Sequence, residues 1–476
     1  MRCIHPAAQT AVVCLTVGVA AVALVGRADG QPLKQPPPKA APPKPTPPGP
    51  RFEPKIDDPM LTPPPAAASE VTSWSEAWKL LAASGTDLRR AAAAVARAEA
   101  AEDIAGSALR PSARLSGSAI IDVLHPGTAP GIPSLGAHDP TSPLGTAQLS
   151  ARQSIVDFGA RRGRDAASAD LRAASLERVD AERRAIHDVA LALIAVASAE
   201  RATELNRVGL RQSLERAALG TRTFELGAAT ELDVVRTQQD VALARTAVVA
   251  GDEQLQRARE ALGIALGVDG AVGVADALTG DALLRELAAQ CRPLGGELRA
   301  DLAAAEAEVA AARARRAEAR AGYMPTVDLV TTLSAYTTAD PAPAYVPTWT
   351  VALVLDLPIW EGGLRKAAVA ERAAAEADAA LVSADRRRTA GFEIARARRG
   401  GEVTGALVAT ATEARALAER VDTMTRRSFE IGRATSLELV QSAAALRQAE
   451  LTLSVREFER QAAEVDALLT EARCVP

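Results

Sequence analysis

The residues most able to do chemistry are few, and their spacing is unhelpful to an enzyme. The histidines are His5, His125, His138 and His187, and the cysteines are Cys3, Cys14, Cys291 and Cys474. No two histidines stand at the separations that place two imidazoles on one metal ion. The carboxylates are scattered beside arginines, the pattern of solvated helix faces. There is no Gly-rich phosphate loop and no serine nucleophile elbow. Four methionines, including Met1, give no pathway for soft copper or silver ions. The reading is of a non-enzyme with no cofactor. Lys and Arg total 55 against 59 Asp and Glu, and no basic block stands out, so nucleic acid is excluded as a partner.

The informative polar residues form a motif that occurs twice. Phe224, Leu226, Gly227, Thr230 and Asp233 recur 205 residues later as Phe429, Ile431, Gly432, Thr435 and Glu438. Glycine after an apolar residue supplies the left-handed turn that ends a helix. Thr-x-x-acid is the capping box that opens the next one. Locally the motif predicts a helical hairpin turn, twice. If the chain oligomerises around an axis, Asp233 and Glu438 repeat as a ring of carboxylates favouring cations, with helix capping alone as the competing role.

Two further matches put the rest of the chain in the same register. Ile155 to Gly159 aligns with Ile359 to Gly363, and Asp87-Leu88 and Pro111 align with Asp301-Leu302 and Pro325. The chain is therefore a tandem repeat, read as 67–291 and 292–476. Each copy should run helix (about Thr72 to Leu109; about Leu298 to Tyr323), strand, loop, strand, very long helix, Gly turn, helix. The strands are read at about 112–123, 146–156, 326–336 and 348–358. Each alternates apolar and polar residues: Ala147, Leu149, Ala151 and Ile155 oppose Gln148, Ser150, Arg152 and Ser154, for example. Length near ten residues, one polar charged face and an export signal fit a lipid-facing strand better than a soluble sandwich. Tyr323, Tyr336, Tyr345, Trp349 and Trp360 cluster at the second strand pair, as at a membrane interface. Four strands cannot close a barrel, and open edges in lipid are costly, so the chain should find copies of itself. The helices, about Ala160 to Thr223 and Leu364 to Ser428, would each exceed roughly 95 Å at 1.5 Å per residue. Abundant alanine, with aromatics at 3%, predicts closely packed long helices without a bulky globular core.

The N-terminus carries no part of this pattern. Residues 1–30 read as a signal peptide: Arg2, an apolar run from Thr10 to Val25, and a small-residue site at Ala28-Asp29-Gly30. Val12 and Val13 are too large before Cys14 for a lipoprotein signal. Residues 31–66 hold about half of the prolines and read as a stiff spacer. With Cys3 and Cys14 removed, Cys291 and Cys474 remain for an oxidising compartment, either bridged or as two inert thiols.

On the duplicated Phe-x-x-Gly-x-x-Thr-x-x-acid turns, the Asp157 to Arg162 and Pro358 to Arg365 junctions and the two strand pairs, the sequence resembles the TolC-like outer-membrane efflux proteins. The resemblance covers about residues 70 to 473. It implies a mainly α homotrimer with a twelve-strand membrane β-barrel, a periplasmic α-helical barrel and a mixed equatorial region. It implies outer-membrane lipid, a periplasmic adaptor and, indirectly, an inner-membrane pump as partners. The adaptor-docking tip would comprise Phe224, Leu226, Gly227, Thr230, Phe429, Ile431, Gly432 and Thr435. The aperture would be lined by Asp233, Glu438 and Gln441. Phe429 and Ala434 stand where well-known members have an aromatic hydroxyl and a base, with Arg433 adjacent, so the hydrogen bonds of that aperture latch are not carried over to this sequence. The competing reading is a structural trimeric coiled coil with a strand anchor. Anchors of that kind gather their strands at a chain end, whereas these lie mid-repeat.

Overall fold

The computed structural model describes residues 54–121, 123, 144–276, 278–294, 298–337 and 347–474. The signal segment, most of the Pro-rich segment, His125, His138 and Tyr345 lie outside the described residues. In the first copy the elements are β1 (Ser69–Val71), α1 (Trp74–Ser84), α2 (Thr86–Ser107), β2 (Ser112–Ile120), β3 (Leu144–Val156), α3 (Phe158–Glu225), α4 (Glu231–Leu266), β4 (Val272–Val274) and α5 (Gly280–Gln290). The second copy continues with β5 (Cys291–Pro293), α6 (Ala300–Ala321), β6 (Thr326–Tyr336), β7 (Thr348–Asp356), α7 (Leu364–Glu430), α8 (Ser436–Glu471) and β8 (Ala472–Cys474). The repeat is metrically close: α3 and α7 have 68 and 67 residues, and α4 and α8 have 36 each. At 1.5 Å per residue the longer pair spans about 100 Å.

The four long strands form one antiparallel sheet in the order β2-β3-β6-β7, so the two hairpins join through β3 and β6. Direct partners in an antiparallel ladder share a face. Leu115, Leu149, Leu333 and Trp349 therefore form one apolar row, and Arg114, Ser150, Thr332 and Thr350 a polar row on the other face. The apolar face is bare: Trp349 is 75% exposed, and Leu115, Val351, Leu353 and Leu355 are exposed beside it. On the polar face Arg152 meets the buried Asp328 at 2.5 Å.

Three details depart from the sequence reading. The ladder slips between Ser154 and Val156, so Val156, not Ile155, faces Val327 in the apolar row. An extra residue in one strand reverses the alternation beyond it, which simple period-two reading misses. Second, the helix expected over Thr72 to Leu109 is two helices broken at Gly85. Its N–H still bonds the Leu81 carbonyl at 2.7 Å, but its ψ of 110° leaves the helix. A Cβ there would lie 2.4 Å from that oxygen, so only glycine fits. Third, the end strands are shorter than read, stopping at Ile120 and Asp356.

A compact core exists after all, assembled from the few large side chains. Trp74, Leu81, Leu193, Leu262, Leu266, Leu283, Leu287 and Leu469 bury one another where α1, α5 and the strand pair β1–β4 collar the middle of α3 and the ends of α4 and α8. The indole N–H of Trp74 is satisfied by Gln290 Oε1 at 2.8 Å. Nearby, Cys291 is disulfide-bonded. In the β5–β8 ladder its backbone faces Cys474.

The end of the Pro-rich segment, from residue 54, makes contacts that a spacer does not need. Its described end lies along α3 and α4. Asp58 pairs with Arg245, Arg207 donates to the Thr62 carbonyl, and Arg259 donates to the Pro65 carbonyl.

Candidate functional site

The two Gly turns have nearly the same hydrogen-bond pattern. At the first, Gly227 N–H donates to Phe224 O at 2.9 Å and Ala228 N–H to Thr223 O at 2.9 Å. At the second, Gly432 N–H donates to Phe429 O at 2.9 Å and Arg433 N–H to Ser428 O at 2.8 Å. These paired bonds make a Schellman end, and the glycines hold its left-handed position at φ 73° and 72°. A capping box follows in each case. The Thr230 N–H donates to Asp233 Oδ2 at 2.9 Å, and the Thr435 N–H to Glu438 Oε2 at 2.7 Å. Each threonine hydroxyl in turn accepts from the N–H of its acid. The hairpins are thus fixed by backbone geometry, glycine, threonine and a carboxylate.

The apolar motif residues take little part in this. Leu226 and Ile431 are each 66% exposed, and Phe224 is exposed too, while Phe429 is half-buried. Gln441 stands exposed on α8. Asp233 is the one predicted acid that reaches the other copy: its Oδ1 accepts from the hydroxyl of Ser436, the first residue of α8. That bond and the Thr230 groups hold the Asp233 carboxyl below its usual range. The Thr435 N–H, then its hydroxyl, do the same for Glu438, whose other contacts stay within its own turn. Both tips therefore carry full negative charge at neutral pH.

Behind the tips lies a buried ionic node that the sequence reading did not single out. Asp240 of α4 is 2% exposed. Its Oδ2 accepts from Arg216 of α3 at 2.6 and 3.2 Å, and its Oδ1 from Arg447 of α8 at 2.8 Å. Three helices from both copies meet on one carboxylate. Burial pulls the Arg216 pKa down, Asp240 opposes that, and the Arg447 charge adds to the depression. Near enough to act on the Arg216 charge, Asp422 of α7 accepts from Ser442 of α8 at 3.2 Å and from Arg426 at 3.1 Å. The available signal was that Asp240 follows Asp233 by seven residues, two turns along one face. Its partners lie on other helices and could not be read locally.

The sequence that builds these duplicated hairpins and strand pairs matches a family described as Outer membrane efflux protein, over residues 78–268 and 297–468. The chain belongs to that family. It is an efflux channel protein of the outer membrane with a periplasmic helical extension, and not an enzyme. No curated protein matches it in sequence. Solved structures share its fold. CusC superposes with a TM-score of 0.71 at 18% identity, over 88% of this chain and 98% of CusC. The Campylobacter jejuni CmeC outer membrane channel gives 0.70 at 15%, over 90% and 93%. The outer membrane protein VceC of Vibrio cholerae gives 0.69 at 18%, over 83% and 96%.

Proposed function

We propose that this efflux protein is the outer-membrane exit duct of a tripartite efflux or type I secretion assembly. It works as a homotrimer and passes cargo passively. The observation that carries the reading is the four-strand sheet, with a bare apolar face and two edges, β2 and β7, that no described residue pairs. An edge in hydrocarbon leaves N–H and C=O groups unsatisfied at several kcal/mol each. Pairing β2 of one copy with β7 of the next satisfies them, and three copies close a twelve-strand barrel. Leu115, Leu149, Leu333 and Trp349 then face lipid, and Arg114, Arg152 and Asp328 face the lumen.

The tips are the natural docking end. Phe224, Leu226 and Ile431 are exposed apolar side chains on turns whose geometry does not need them, which suits the apolar face of a periplasmic adaptor helix. The pump is reached only through that adaptor. Asp233 and Glu438, ionised and repeated around the axis, bias the aperture toward cations.

The purified mature chain tests this in detergent and in planar bilayers. A heat-modifiable trimer that conducts supports the duct. A trimer without conductance favours the structural coiled coil, and a water-soluble monomer refutes both.

A further inference from the structure

We propose that Asp58–Pro65 is a built-in brace that stiffens the α3–α4 hairpin and, among the described residues, has no counterpart on α7–α8, so that the two hairpins of one chain differ in compliance. The inference goes beyond the duct reading and concerns the mechanics of a single chain.

The brace is gripped along its length by three arginines. Asp58 accepts from Arg245 of α4 through Nη2 at 2.7 Å and Nε at 3.2 Å, and its other oxygen caps Met60. Leu61 packs against the buried Leu210, Val241, Ala244 and Val248, side chains drawn from both α3 and α4. Arg207 of α3 donates to the Thr62 carbonyl at 3.1 Å while its Nη2 holds Asp252 of α4 at 2.8 Å. Arg259 of α4 donates to the Pro65 carbonyl at 2.9 Å and to Glu200 of α3 at 3.0 Å. The Leu61, Arg207 and Arg259 contacts each involve both helices, and the Asp58–Arg245 pair fixes the start of the strap to α4. Pro59, Pro63, Pro64 and Pro65 arrive with φ preset, which lowers the entropy lost on ordering the strap.

The repeat supplies the control. At the 205-residue offset Arg207, Arg245 and Arg259 become Thr412, Glu450 and Glu464. Two of the three cations are replaced by anions, which would repel a carboxylate and carbonyl oxygens. Glu450 pairs instead with Arg415 of α7, and Glu464 with Arg460 of its own helix. The second hairpin therefore lacks the cations that grip the strap at the matching positions of the first.

Hydrogen exchange of the full-length mature protein in detergent tests the brace. Asp58→Asn should speed exchange of the amides around Arg207 and Arg245 by roughly ten- to a hundredfold, the span expected for losing a charge-assisted bond. The amides around Thr412 and Glu450 should stay within about twofold of the parent. Arg245→Gln, which leaves the Asp58 cap on Met60 intact, should speed the same amides. No acceleration in α3–α4 with either variant, or an equal acceleration in both hairpins, would each overturn the proposal. If Asp58→Asn does not assemble, Leu61→Ala gives the same comparison without touching a charge. Conductance is not the readout, so failure of the duct reading would leave this result interpretable.

Discussion

Asp240→Asn is the substitution that most sharply tests how the hairpins are held together. Asparagine keeps the shape of the side chain and removes its charge. Arg216 and Arg447 would then share a buried site with no carboxylate between them, each still close enough to oppose the other's charge. Breaking a buried ion pair by neutralising one partner typically costs about 3–5 kcal/mol, because the remaining charge stays desolvated. At about 2.1 cal/mol/K of unfolding entropy per residue, a chain of this size loses roughly 1 °C of midpoint for each kcal/mol. The expected fall is therefore about 3–5 °C per chain, read by calorimetry at a fixed scan rate because unfolding of such assemblies is a kinetic event. The design has an internal control. Asp240→Leu combined with Arg216→Met and Arg447→Met removes all three charges together, and apolar replacement of a whole buried network is often neutral or stabilising. That triple variant should recover most of the loss. A single variant within about a degree of the parent, or a triple variant worse than the single, would refute the view that buried charge holds α3, α4 and α8 together.

Gly432→Ala should destabilise the second turn by about 1–2 kcal/mol. The cost is purely conformational, since a Cβ there meets nothing within 4 Å, and guanidinium melts compared with the parent would measure it. Glu438→Ala should lower the cation-to-anion permeability ratio of the reconstituted channel, and an unchanged ratio speaks against an acidic aperture. His187 is held above its usual pKa by its bond to Asp466, then by Asp188. Its stabilisation is complete below the unfolded value near 6.5 and is lost as pH rises through the higher folded one, so His187→Gln should flatten the stability profile on the alkaline side of about pH 6.5. The native protein should resist alkylation at Cys291 and Cys474 until reduced, by mass spectrometry, whereas full labelling of both without reductant would exclude a bridge.

Much of this molecule is written in local pattern. The 205-residue echo of Phe224 to Asp233 in Phe429 to Glu438 located both hairpin turns because each is closed by contacts within eleven residues. The strands were readable because alternation records a two-faced environment, until the bulge after Ser154 shifted the phase. What escaped was non-local. Nothing near Asp240 in sequence announces Arg447, and nothing in Asp58 announces Arg245. The collar around Trp74 escaped for a related reason. Composition reports how few large side chains there are, not that folding will bring eight of them to one place. The break at Gly85 was hidden because a glycine inside an alanine-rich helix is tolerable until a carbonyl is known to sit where its Cβ would go.

The hairpin turns separate two jobs that other loops mix. Glycine, threonine and one acid make the hydrogen bonds of each turn, and the side chains of Leu226 and Ile431 stand mostly in solvent beside them. Substitutions at the two-thirds-exposed Leu226 and Ile431 should cost little stability, within about 0.5 kcal/mol, and can accumulate under whatever pressure a binding surface feels. A lineage could thus change the company this protein keeps while the turns that present those residues stay untouched.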